Sequence, residues 1–271
     1  MARISGESKA RLGRTAEALK DDFPMRRYIP SGLTLLGLCC GATSIRFALM
    51  GYYKAAVIAI ICAAVFDLLD GRVARLFGAA SAFGAQLDSL ADLVNFGIAP
   101  AILVYSWSLS SLHGAGWALT LAFCVCSAIR LARFNVESVD PDPEAPPEPY
   151  FRGVPTPAAA CLILLPMLLA FQFSDQVLSS PFTSAALIAL MSALMVSRVP
   201  TLSLKHVHVL PQFRGLVIAA GVLMLAAAII FPWSTLTGVL IIYLVSLPFA
   251  ATLFSERGKA RRAAKRAARG L

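Results

Sequence analysis

67-DLLDGRVARLFGAASAFGAQLDSLAD-92 sets four aspartates, Asp67, Asp70, Asp88 and Asp92, between two apolar runs. GYYKAAVIAIICAAVF (51–66) precedes it and LVNFGIAPAILVYSW (93–107) follows it. A carboxylate in hydrocarbon costs about 2.5–3.5 kcal/mol on insertion scales. Four of them in neighbouring apolar segments need a satisfying protein interior or a ligand. Whether the flanking runs cross a membrane therefore decides how the whole chain is read.

Composition answers in favour of the membrane. The chain is 58% hydrophobic and only 14% charged, with a mean hydropathy of +0.73. Apolar runs of bilayer-spanning length occur at 31–50, 54–77, 84–107, 115–135, 157–174, 182–198, 213–231 and 234–254. The expectation is an all-α polytopic membrane protein with about eight spans. The first 28 residues are polar and mixed in charge, so the first span is expected to serve as the insertion signal. Within them, Leu12, Ala16, Leu19 and Phe23 recur at helical spacing, as in a helix lying on the membrane interface.

Lysine and arginine orient the spans. Arg3, Lys9, Arg11, Arg14, Lys20, Arg26 and Arg27 precede the first span, and the tail RGKARRAAKRAARGL is densely basic. Arg75, Arg152, Lys205 and Arg214 fall in loops on that same side; Lys54 is the one cation in the opposite loops. Both termini are expected in the cytoplasm, with the protein in the inner (plasma) membrane. The net charge of +9 then describes a face that meets anionic lipid headgroups. It does not point to nucleic acid, because the basic stretches flank apolar spans. All six cysteines lie inside apolar runs without a CxxC pair, and His206 and His208 stand alone in a loop, so neither set makes a metal site. ESVDPDPEAPPEP (137–149) reads as an acidic, proline-rich loop.

Helical spacing collects the aspartates. Asp67, Asp70, Gly71, Ala74 and Gly78 form one stripe; Gly84, Asp88, Asp92, Asn95 and Ala99 form another on the next span. The turn FGAASAF makes the two spans antiparallel neighbours. With a rise of about 1.5 Å per residue, the acids of the two spans come to matching depths, roughly 10 and 15 Å from the turn. Like charges so close call for protons or cations. Oxygen-only donors suit hard divalent ions such as Mg²⁺, Mn²⁺ or Ca²⁺, and two such ions would clamp a phosphoryl group. Gly71, Ala74 and Gly84 leave room beside the acids, and Arg75 is placed to hold phosphate oxygens.

The pattern D-x₂-D-G-x₂-A-R-x₈-G-x₃-D-x₃-D is met in full by Asp67, Asp70, Gly71, Ala74, Arg75, Gly84, Asp88 and Asp92. It resembles the signature of the CDP-alcohol phosphotransferases, and IPSGLT (29–34) departs from relatives that read proline-asparagine there. The resemblance implies a six-helix catalytic core over 29–200 after a basic segment 1–28. Two added helices over 201–255 and a basic tail 256–271 would follow. It also implies transfer of a phosphatidyl group from CDP-diacylglycerol to an alcohol with release of CMP, assisted by two divalent ions, Mg²⁺ or Mn²⁺. Asp67, Asp70 and Asp88 would be metal ligands. Asp92 would be the general base and touch a metal. Gly71, Ala74, Arg75 and Gly84 would line the CDP-diacylglycerol site, and a homodimer is expected. DSLADLVNFGIAP, RLARFN and FRGVPTPAAA are most similar to the members of the family whose acceptor is serine.

Arg130 and Arg133, three apart, share a helix face and suit a carboxylate or phosphate, with Asn95 nearby on the acid stripe. Snorkelling to the interface is the competing reading of the arginines. Choline, glycerol phosphate or an inositol phosphate are the other acceptors to weigh. A cation transporter is the alternative of a different class, disfavoured because polar groups do not continue to the far surface.

Overall fold

A computed structural model describes residues 25–78, 81–139, 150–173, 179–197, 200–202 and 214–247. The interfacial helix expected before residue 25, the centre of the acidic loop, the His206/His208 loop and the basic tail lie outside the described residues. The first two helices are α1 (Met25–Leu49) and α2 (Tyr53–Phe77). The third span is composite: α3 (Ala82–Asp92), a π-helical segment (Leu93–Ile98) and α4 (Ala99–Trp107). After a 3₁₀ turn (Leu109–Leu112) come α5 (His113–Val139), α6 (Thr156–Ile163), α7 (Leu165–Ala170), α8 (Pro181–Val196) and α9 (Arg214–Ile230). Helix α10 covers Pro232–Leu247.

Three helical stretches, Ile29–Leu49, Ala82–Trp107 and Leu109–Val136, are long and apolar enough to cross a membrane by length and composition. Thr156–Ala170, Pro181–Val196, Ala219–Ile230 and Pro232–Leu247 are shorter apolar helices. Helix α2 has 25 residues, yet it is not among the three, because Asp67, Asp70, Arg72 and Arg75 make its second half polar.

The described residues depart from the expected uninterrupted all-α spans in two places. A two-stranded antiparallel ribbon joins β1 (Tyr150–Arg152) to β2 (Pro200–Leu202), pairing Phe151 with Thr201. The fifth apolar run is broken at Leu164, where Pro166 opens α7 in its first turn. A third irregularity, the π segment, sits just before Pro100 near the start of α4. Proline cannot donate to the carbonyl four residues back and its ring crowds that carbonyl, so the ladder loosens there.

Helix α1 is the organising strut. Thr34, Gly37, Gly41, Ser44 and Ala48 are all buried, at a spacing of three and four. Small residues in such a row let helix backbones approach closely in a membrane. The row packs on α2, where the Ser44 hydroxyl donates to the Ala56 carbonyl at 2.9 Å. A Cβ built on Gly41 would collide with the Asn95 amide of the π segment. The opposite face of α1, with Leu35 and Leu36, is exposed, as a lipid-facing surface would be.

The chain closes at the C-terminal end of α8. Gly153 has φ 78°, and a Cβ there would meet the Met195, Ser197 and Leu194 carbonyl oxygens at 2.8, 2.9 and 3.2 Å. Both the backbone and the contact require glycine. The amide of Val154 donates to the Leu194 carbonyl at 3.4 Å, which fixes the entry to α6.

Candidate active site

Asp67 and Asp70 lie one turn apart on α2; Asp88 and Asp92 lie one turn apart on α3. Gly78 ends α2 with φ 61°, a left-handed cap that glycine adopts without strain. Ser81 starts α3 by accepting from the Gly84 amide at 3.0 Å. The turn thus returns the second helix against the first. Asp67, Asp70 and Asp88 each offer a carboxylate oxygen, and these atoms lie within 4.8 Å of one another. Asp92 joins the group through a side-chain hydrogen bond with Asp67. Two carboxyl groups in such contact need a proton or a cation between them. Asp70 is buried and the other three are half-buried. The Thr34 hydroxyl donates to Asp70 Oδ2 at 2.6 Å, and shares its proton with the Pro30 carbonyl at 3.1 Å.

The acids separate two spaces. An outer cleft of about 170 Å³ is lined by Pro30, Ser31, Thr34, Asp70, Gly71, Ala74, Ser81, Gly84, Ala85 and Asp88. A narrow crevice too small for a water molecule adjoins it, bounded by Asp67 and Asp92 as well as Gly37, Ala91 and Asn95. Thr34, Asp70 and Asp88 border both. Nothing stands within 4 Å of a Cβ built on Gly71, so any larger residue there would project into open space at the cleft.

Gly71, Ala74 and Gly84 therefore stand where the sequence places them, along one cleft with two of the acids. Arg75 does not line it. Its Nε donates to the Gly71 carbonyl one turn back at 3.0 Å, and the side chain is exposed. Asn95 is buried beside the crevice, against Gly37 and Gly41 of α1.

The two arginines part company. Arg130 Nη1 donates to the hydroxyl of buried Thr156 at 3.4 Å. Arg133 is exposed, and its Nη1 donates to the Val196 carbonyl at the end of α8, at 3.1 Å. Helix register gives their depth. Ser89 hydrogen-bonds Asn135 at 3.0 Å, and further along, Gly97 packs on Ser127. Counting between these two contacts sets Asp92 opposite Ala132, so Arg130 and Arg133 flank its level.

Sequence reasoning missed Ser31, Thr34, Ser81, Gly37 and Gly41. For Thr34, Gly37 and Gly41 the signal was present: a row of small and hydroxyl residues on the first span at the spacing of a buried face. It reads as helix packing until the neighbouring acids are placed beside it.

The donor set fits a hard divalent cation. Three carboxylates converge, a fourth touches one of them, and no cysteine or histidine joins them among the described residues.

Comparison with known proteins bears on this geometry. Residues 27–199 match the family model CDP-alcohol phosphatidyltransferase. The chain is 37% identical over 255 residues to the CDP-diacylglycerol–serine O-phosphatidyltransferase of Mycobacterium leprae, covering 89% of this chain and 85% of that one. It is 36% identical over 253 residues to the enzyme of the same name from Mycobacterium tuberculosis, covering 90% and 88%. The Bacillus subtilis enzyme of that name is 38% identical over 149 residues, 53% of this chain and 80% of that one. The chain belongs to the CDP-alcohol phosphatidyltransferase family.

Proposed function

We propose that this enzyme transfers the phosphatidyl group of CDP-diacylglycerol to the hydroxyl of L-serine, giving phosphatidylserine and CMP. The observation that carries this reading is the convergence of Asp67, Asp70 and Asp88, the last two lining an open cleft. Serine is supported by the activity in the relatives' names and by an arginine, Arg130, turned inward at the depth of Asp92.

Asp67, Asp70 and Asp88 would hold two divalent ions, Mg²⁺ or Mn²⁺, with Asp92 in reach of one. When bound, such ions neutralise the diphosphate and the charge that passes to CMP. The remaining work falls to the chain. Gly71, Ala74 and Gly84 shape the cleft for the cytidine diphosphate, and Thr34 orients Asp70. Arg75, once released from the Gly71 carbonyl, pairs with phosphate oxygens. Asp92 takes the proton of the serine hydroxyl. The serine oxygen then bonds to the phosphorus that carries diacylglycerol, and the bond from that phosphorus to the CMP oxygen breaks. Arg130 holds the serine carboxylate, with Arg133 at its flank and Asn95 closing the crevice.

The same reading places eight spans in the inner membrane. The catalytic core is 29–200, the added pair is 201–255, both termini and the cleft face the cytoplasm, and two copies form a homodimer. The acyl chains stay in the bilayer while cytidine enters from the aqueous side, which is why the acids lie near a helix turn.

The test is an assay of purified protein with CDP-diacylglycerol, Mn²⁺ or Mg²⁺, and labelled serine, choline, glycerol phosphate and inositol phosphate. Phosphatidylserine and stoichiometric CMP are expected with serine alone, and EDTA should stop both. Equal use of another acceptor, or full activity in EDTA, would overturn the corresponding part. Inverted vesicles should accept external serine without permeabilisation; a requirement for detergent would reverse the orientation. Light scattering in detergent reads the dimer.

A further inference from the structure

Asn95 carries its amide into the interior from the π segment, three residues beyond Asp92, and is only 2% exposed. The segment around it is held in place. The Cys124 thiol donates to the Gly97 carbonyl at 3.5 Å, and Ser127 packs on Gly97. Two glycines of α1 hold the amide itself. A Cβ on Gly37 would stand 3.5 Å from Asn95 Nδ2, and one on Gly41 would collide with Oδ1 and stand 3.1 Å from Cγ. The amide oxygen is buried and has no hydrogen-bond partner. Leaving a buried polar group so costs about 1–3 kcal/mol, and an apolar side chain would avoid that cost. Packing alone therefore does not account for an amide here.

The surroundings of the nitrogen end do. Gly37 lines the narrow crevice beside the acids and Gly41 does not, so the nitrogen end of the amide faces the crevice and the oxygen end faces away. Asn95, Asp67 and Asp92 border this crevice but not the outer cleft, whereas Asp70 and Asp88 border both. The crevice has no room for a water molecule, so no solvent can stand between the amide and the carboxylates it faces. Residues three apart on a helix are neighbours, and the amide offers two N–H donors where an ionised carboxylate only accepts.

We propose that Asn95 is a positioning residue for Asp92: its amide donates to the Asp92 carboxylate and fixes the rotamer from which that group serves as base. Gly37 and Gly41 are then the parts of α1 that hold the amide at the required angle. This rests on the reading of Asp92 as the base of the proposed reaction and on nothing about the acceptor's identity. A neutral donor suits the position. A cationic side chain there would compete with divalent ions for the acids, and an apolar one would leave the carboxylate free to turn.

The experiment is a double-mutant cycle on the full chain in detergent, with Asn95→Ala, Asp92→Asn and the two combined. It measures kcat, both KM values, melting temperature and, without substrate, Mn²⁺ affinity by electron paramagnetic resonance. Asn95→Leu is carried beside Asn95→Ala, because the two disturb packing in opposite directions while both lack the donor. Each should lower kcat by about 10- to 100-fold, the range for groups that orient ligating or catalytic side chains, with smaller changes in KM. In the Asp92→Asn background the same changes should add less than about twofold. Mn²⁺ affinity should follow the same cycle, since Asp92 is bonded to Asp67, and it reads the Asn95–Asp92 pair independently of turnover. Effects that multiply in the combined variant overturn the proposal, as do losses of kcat that track melting temperature. If Asp92→Asn slows turnover and neither Asn95 variant does, the reaction stands and only this inference falls. If Asp92→Asn keeps full activity, the base is wrongly assigned and the inference falls with it.

Discussion

The acid end of the helix bundle and its opposite end are built on contrary terms. Around the aspartates the helices present Ser31, Thr34, Gly71, Ala74 and Gly84, and an open cleft remains between them. Away from the acids, Ala48, Val57, Ile60, Leu103, Leu109 and Phe123 interlock with Leu162, Met167 and Ile188 in one continuous core. The same helices run through both regions. Side-chain size and polarity both change along them, from small and polar residues that leave space to apolar residues that fill it. Close packing at one end holds the backbone while the other keeps like charges near one another and a ligand-sized space open.

Changes at the two ends should therefore act on different observables. The largest effect belongs to the acids. Asp67→Asn, Asp70→Asn and Asp88→Asn should each abolish turnover, and Asp92→Asn should lower kcat by about 10²–10⁴, the range for a lost general base. Each variant should melt no lower than the parent, since a like charge has been removed. Radiolabelled serine incorporation beside a melting curve reads both; a variant that loses stability in step with activity would break the contrast. Next comes the packed end. Phe123 is fully buried, and Phe123→Ala should cost about 3–5 kcal/mol of stability, with turnover per folded molecule kept. A fall in kcat at temperatures well below melting would show that the two ends are coupled. The smallest effect is at the boundary between them. Thr34→Val removes the 2.6 Å hydrogen bond to Asp70, and should weaken Mn²⁺ dependence by about 10- to 100-fold, as for other groups that orient metal ligands. A titration of activity against Mn²⁺ measures it, and an unchanged midpoint would remove Thr34 from the site.

The acid end was the more legible of the two in the sequence. Asp67 to Asp92 span a single helical turn-back, so covalent spacing already puts the carboxylates on facing stripes. Gly71, Ala74 and Gly84 follow from the same periodicity. What the sequence hid depends on residues far apart in the chain. Thr34 meets Asp70, Ser89 meets Asn135, and Gln172 meets Thr237, and no local period announces such pairs. The absence of Arg75 from the cleft lining was hidden for another reason: its Nε donates to a carbonyl one turn back, a choice among rotamers rather than a matter of register. The break at Leu164 and the π segment before Pro100 could be read as proline effects in retrospect. Neither proline says by itself whether a helix will bend, loosen or stop.

The polar second half of α2 has a consequence for how the protein reaches the membrane. Asp67 and Asp70 would weigh against transfer of this helix into lipid by itself, each by up to about 2.5–3.5 kcal/mol, the cost of a charge at mid-bilayer. Helix α1 carries no such burden over Ile29–Leu49 except Arg46 near its end. The two are joined by a tight turn in which the Met50 amide donates to Arg46 and the Tyr52 amide to Phe47. Insertion as a hairpin would let the small-residue face of α1 shelter the acids of α2 from lipid at once. The acid-bearing helix would then be delivered by its neighbour, and the order of synthesis would become part of how the cluster is built.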